Sequence, residues 1–213
     1  LINLSTLKSY MNNLEAEIIS LQSVMQIDAD NYGLRAGVNL ALCKFLLDDF
    51  EGSKKHLLSV ATIQNKTSSE FKNGKIYHTY LLKILSWHEG KYFDAFTRKP
   101  DKTLYVIGDS HSLVSHQINV KNSTSIMSCK AKLIKGCKQW HLGNPNKNQY
   151  KNQFESIFSS ILKSSLVLLT FGEIDCRLDS GIIRHKNKFP EKKIEEIIAD
   201  TIENFLSYVT KNN

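Results

Sequence analysis

The 213-residue sequence contains only 3 Pro, 4 Cys and 2 Trp. Such scarcity of Pro, with 41% hydrophobic and 23% charged residues, excludes a disordered or low-complexity scaffold and fits a folded globular chain. The cysteines, Cys43, Cys129, Cys137 and Cys176, are too few and too widely spaced to staple a chain of this length, and no secretory signal precedes them. A reducing, cytoplasmic setting is therefore expected. Cys129, Cys137 and His141 lack the paired CxxC spacing of a zinc site, so no metal and no cofactor is expected. The longest apolar stretch, Leu166-Val167-Leu168-Leu169, is strand-length and far below the ~18 residues a membrane span needs, which excludes a membrane partner of the helix-spanning kind. Positive charge is in mild excess, 28 Lys and Arg against 21 Asp and Glu, but it is scattered, as in Lys130, Lys132, Lys135 and Lys138. Without a basic block or a zinc-finger or RNP signature, a dedicated nucleic-acid reader is not expected.

What is present falls into two halves. From Leu4 to about Leu85 apolar residues recur at helical spacing, which predicts helical hairpins over residues 1–97. Two stretches repeat one pattern: Asp49-Phe50-Glu51-Gly52-Ser53, and Gly90-Lys91-Tyr92-Phe93-Asp94-Ala95. In each a polar turn is followed by an aromatic and, three positions on, a small residue. The arrangement resembles a tetratricopeptide repeat, in which the small residue admits close helix packing. The 42 residues from Phe50 to Tyr92 exceed the usual ~34, so the match is irregular. The resemblance implies a protein partner recruited through this region.

At Arg98-Lys99-Pro100-Asp101 the period changes, and Leu104-Tyr105-Val106-Ile107 reads as a buried parallel strand, placing a second domain at 98–213. There the sequence predicts a helix from about His111, a strand near Ser125–Cys129, a loop at 143–148, a helix at about 149–164, a strand at 166–171, a loop to Pro190 and a helix at about 191–211. Alternating strands and helices predict an α/β domain with a parallel sheet and helices on both faces.

Strand Leu104–Ile107 runs straight into Gly108-Asp109-Ser110-His111, and strand Leu166–Thr170 into Phe171-Gly172-Glu173-Ile174-Asp175-Cys176-Arg177. Strand-to-helix turns of a parallel sheet open at its carboxyl edge, where ligands bind. Ser110 there is placed as a nucleophile, an anion contact or only a helix N-cap. Glu173, Asp175 and Arg177 are read either as site residues or as a structural ion-pair cluster, and Cys176 as a packed thiol.

Together the two blocks, over about 98–213, resemble those of the SGNH, or GDSL, hydrolases, and the Gly-Asp-Ser-His form is similar to SGNH domains attached to carbohydrate O-acyltransferases. The longer Phe-Gly-Glu-Ile-Asp-Cys-Arg string resembles a subgroup associated with polysaccharide biosynthesis. The resemblance implies a flavodoxin-like fold and acyl transfer to or from a carbohydrate or similar small-molecule ester, with Ser110 as nucleophile. Gly108, Asp109, Gly143, Asn144, Gly172, Glu173 and Arg177 would line the substrate, Gly143 being the oxyanion-loop glycine. Ile174 stands where the family has its oxyanion Asn, leaving Asn144 or Arg177 to replace it. The family's Asp-x-x-His block has no counterpart after Asp200. Because the sequence opens on Leu1, a longer chain carrying that block is one expectation. The other takes the base from His111, His141 or His185 with Asp109, Asp175 or Asp179 as orienter; His141 or His185 is preferred, since a residue adjacent to the nucleophile points away from it. The competing class is a scaffold with a degenerate SGNH-like domain.

Overall fold

The computed structural model describes residues 13–27, 29–61, 69–89 and 99–211. The chain divides into two compact units, Leu1–Pro100 with Gln117–Ile126, and Asp101–His116 with Met127–Asn213.

In the first unit, helices α1 (Leu14–Ile27), α2 (Ala29–Leu46), α3 (Phe50–Ser59) and α4 (Ser69–Glu89) follow one another, and α2 packs against the other three. Leu21 and Val24 of α1 are buried against Ala36, Leu40 and Cys43 of α2. A polar turn starts α3, where Asp49 Oδ1 accepts from Gly52 N at 2.8 Å and Oδ2 pairs with Lys44 at 2.9 Å. Phe50 then fills the space beside Phe45 and His88, with ring centroids 5.3 and 4.5 Å apart, and Ser53 is fully buried. The small residue three positions after the aromatic is thus fully buried. The second copy of the pattern, Tyr92 to Ala95, and the boundary at 97 and 98 lie outside the described residues.

The second unit is α/β. Its strands β1 (Lys102–Gly108), β3 (Ile126–Leu133, from Met127 on) and β4 (Leu166–Thr170) belong to a sheet with strand β2 (Asn119–Lys121), which is counted with the first unit; the order is β2-β3-β1-β4. β1 runs parallel to both neighbours, with Gly108 paired to Leu133 on one side and Thr170 on the other. β2 turns tightly into β3 through Asn122, whose N–H donates to Ser125 O. The sheet is therefore mixed, whereas the sequence predicts a parallel one; a three-residue strand is too short to show a period. β3 also starts one residue late and ends four beyond the expected Cys129.

Helices α5 (Gln139–Gly143), α6 (Gln149–Ser160), α7 (Gly181–Lys188) and α8 (Ile194–Lys211) complete the unit. Ile107, Val167, Leu169 and Phe171 pack against Leu142 of α5, Phe154 and Ile157 of α6 and Phe205 of α8 in one core. The alternate residues of β4, Leu166 and Leu168, remain 49% and 47% exposed at the sheet edge. The expected helix from His111 is a tight 3₁₀ turn, Ser110–Ser115, and the expected loop to Pro190 contains a second 3₁₀ turn, Ile174–Cys176, and all of α7.

Candidate functional site

The register of β1 and β4 puts the ends of both strands side by side. Gly108 and Thr170 are Cα partners in the parallel ladder, so Asp109-Ser110-His111 and Phe171-Gly172-Glu173 leave the sheet at the same carboxyl edge. Gly108 is required at this junction, because a Cβ there would lie 1.9 Å from Thr170 Oγ1 and 2.5 Å from its carbonyl oxygen. Gly172 holds φ at +123°, open to glycine alone.

Asp109, not Ser110, caps the 3₁₀ turn. Its Oδ1 accepts from His111 N and from His111 Nδ1, each at 2.9 Å. The carboxylate is 1% exposed, and Oδ2 has no hydrogen-bond partner among the described residues; nor does the buried Thr170 Oγ1. A carboxylate only accepts, so Nδ1 of His111 carries the proton of that bond and the Nε2 lone pair of the neutral ring is left for other work. His111 is thus, of the three candidate histidines, the one whose ring is held by an aspartate. The bond is a local one across two residues, from the Asp109 cap to the ring two positions on.

Glu173 and Arg177 form a bidentate ion pair, Nη2 to Oε2 at 2.6 Å and Nε to both oxygens at 3.0 Å. The Arg177 guanidinium holds the Glu173 carboxyl below the ordinary range, and the field of Asp109 reaches Arg177 as well. Ligand atoms of Asp109, His111 and Glu173 come within 4.8 Å of one another, and Arg177 engages both Glu173 oxygens.

The other expected site residues lie elsewhere. Asp175, 1% exposed, accepts from Gln139 N at 2.8 Å and Trp140 N at 3.3 Å, capping α5 across 36 residues of chain. Burial raises its pKa although both bonds oppose the rise. It is not part of the Glu173–Arg177 pair. His141 Nδ1 accepts from Lys138 N at 3.1 Å, and the ring stacks on Tyr150 with centroids 3.9 Å apart. That bond fixes the proton on Nε2, the reverse of what a triad base needs, and desolvation pulls the pKa down to about 4. Gly143 lets α5 approach α8: a Cβ would lie 2.9 Å from Asn204 Cβ and Phe205 N. Asn144 ends α5 and its Oδ1 accepts from Asn146 N at 2.9 Å.

Gly143, Asn144, Asp175 and His185 share the lining of a cavity of about 370 Å³, and Ser110 and His111 are not in that lining. The sequence-predicted residues therefore separate into an edge group, Gly108 to His111 with Gly172, Glu173 and Arg177, and a cavity group. Cys176 is exposed and not packed, whereas Cys129 and Cys137 are buried and burial raises both thiols. His116, expected to be a surface or half-buried helix residue, is buried, with Nδ1 accepting from Ala131 N at 3.1 Å.

No family model, curated protein or solved structure matches the chain.

Proposed function

We propose that the second unit is an esterase or O-acyltransferase of SGNH type, flavodoxin-like in ancestry, acting through Ser110 on a carbohydrate or similar ester. The observation that carries the reading is the buried Asp109 carboxylate holding His111 Nδ1 beside Ser110 at the carboxyl edge of two adjacent parallel strands. In this reading Ser110 Oγ attacks the ester carbonyl carbon and its proton passes to His111 Nε2. The carbonyl electron pair moves to oxygen, where the Ser110 N–H and the charge of Arg177 stabilise it. Collapse expels the alkoxide, which takes the proton from His111. The acyl-serine is then released to water or to a sugar hydroxyl by the same steps in reverse. Arg177 takes the place of the oxyanion Asn that Ile174 replaces.

The test is hydrolysis of p-nitrophenyl acetate together with labelling by a fluorophosphonate. Ser110→Ala should abolish both, and His111→Ala should lower both at least a hundredfold with stability changed by less than about 1 kcal/mol, since the Asp109 bond to His111 N survives. A wild-type chain that neither hydrolyses nor labels supports the second reading, a binding scaffold. That reading is favoured by the commitment of Asp175 to the α5 cap and of Glu173 to Arg177.

A further inference from the structure

The cavity of the second unit has walls of unusual composition. Helix α7 turns toward it the residues Gly181, Arg184, His185 and Lys188, with Ile182 as its one apolar contribution, and α8 turns toward it Ile197, Asp200, Thr201 and Asn204. Both sets have the spacing i, i+3, i+4, i+7, which marks the stripe a surface helix normally fills with apolar residues to meet its neighbour. Here both stripes are mostly polar, and that of α7 is basic. Lys138 and Lys192 add two more cations to the lining. Among the described residues neither Arg184 nor Lys188 is ion-paired. Asp175 gives both carboxylate oxygens to the α5 amides and lies in the field of Lys138, and Asp200 is the one other acid in the lining. Trp140, 47% exposed, forms a further part of the wall beside Asn144.

We propose that this cavity binds an anionic saccharide, its acidic group held by Arg184 and Lys188, its ring against Trp140, and its hydroxyls by Asp200, Asn204 and Asn144. The volume of about 370 Å³ suits one sugar ring with its substituents. A carboxylate partner such as Asp200 selects hydroxyl donors over a bare anion, and the unpaired cations select against a neutral sugar. The inference goes beyond acyl transfer and stands on the cavity alone.

Titration calorimetry of the full chain at low salt tests it, with glucose 1-phosphate as probe and glucose and inorganic phosphate as comparisons. Glucose 1-phosphate should bind at least tenfold tighter than either comparison, and more weakly as salt is raised. Arg184→Ala with Lys188→Ala should lower its affinity tenfold or more with an unchanged circular-dichroism spectrum, both side chains being exposed. Trp140→Ala should weaken glucose 1-phosphate more than inorganic phosphate. Ser110→Ala should leave the binding intact, so loss of acyl transfer and loss of binding are separable results. Absence of saturable binding, equal affinity for glucose, equal affinity for inorganic phosphate, or full affinity in the double variant each overturns the proposal.

Discussion

His141 makes the fold sensitive to acid in a defined window. In the folded chain its ring is stacked on Tyr150, accepts from Lys138 N and has a pKa of about 4, against 6.5 for an ordinary histidine. The unfolded chain therefore binds more protons between these values. The contribution of His141 is fully present above pH 6.5 and is lost as pH falls toward 4. At about 1.4 kcal/mol per tenfold change in proton affinity the whole depression corresponds to about 3 kcal/mol. Because the ring is only partly withdrawn from water, screening reduces the expected loss to about 1–2 kcal/mol. Urea unfolding of the wild type and of His141→Phe, measured from pH 7.5 to pH 4, reads this directly. Phe keeps the stack on Tyr150 and cannot titrate, so its stability curve should be flatter than the wild-type curve by about 1–2 kcal/mol across the window. Parallel curves, or an imidazole NMR titration of His141 centred near 6.5, would refute the reasoning.

Two further substitutions probe backbone approach. Gly108→Ala sets a Cβ against both the side chain and the carbonyl oxygen of its ladder partner Thr170, and should cost about 1–3 kcal/mol in urea unfolding; Thr170→Ala should recover only part, because the carbonyl remains at 2.5 Å. A neutral Gly108→Ala would mean that the β1 and β4 ends are further apart than described. Gly37→Ala places a Cβ 2.4 Å from Val60 Cγ1, so it should destabilise the wild type by about 1–3 kcal/mol, yet be neutral or stabilising in a Val60→Ala background, where helix propensity prevails. Additive effects in that double-mutant cycle would count against the contact.

The strands that carry the site were legible because their apolar runs are bounded by Pro100, Gly108 and Gly172, and because two glycine-acid blocks after strands point to one sheet edge whatever the helices do. Helix α7 was not legible. Its aliphatic residues are only the adjacent pair Ile182 and Ile183, and the side it turns to the cavity is mostly Arg184, His185 and Lys188, so a search for periodic apolar residues reads a loop. The role of Asp175 was equally hidden, since it caps a five-residue helix that lies 36 positions earlier in the chain. The Asp109 bond to the His111 ring was hidden too, because the sequence suggests a regular helix where the chain makes a 3₁₀ turn capped by Asp109. Asn144 and Asp175 stand in and beside motifs that suggest a reacting centre, yet their hydrogen bonds close turns and helix ends.

Helix α7 carries no buried residue. Its hold on the rest of the unit comes from Gly181, whose φ of +66° lets the chain double back onto the Asp175 backbone, and from its contacts with α8 and the 3₁₀ turn Ile174–Cys176. An element so lightly anchored opens at a small fraction of the global unfolding free energy, and its amides should exchange with deuterium well before those of β1 or α6. One side of the cavity is in that sense a removable panel. Any molecule that bridges α7 to α8 would slow that exchange locally, and part of its binding energy would be consumed in keeping the panel shut.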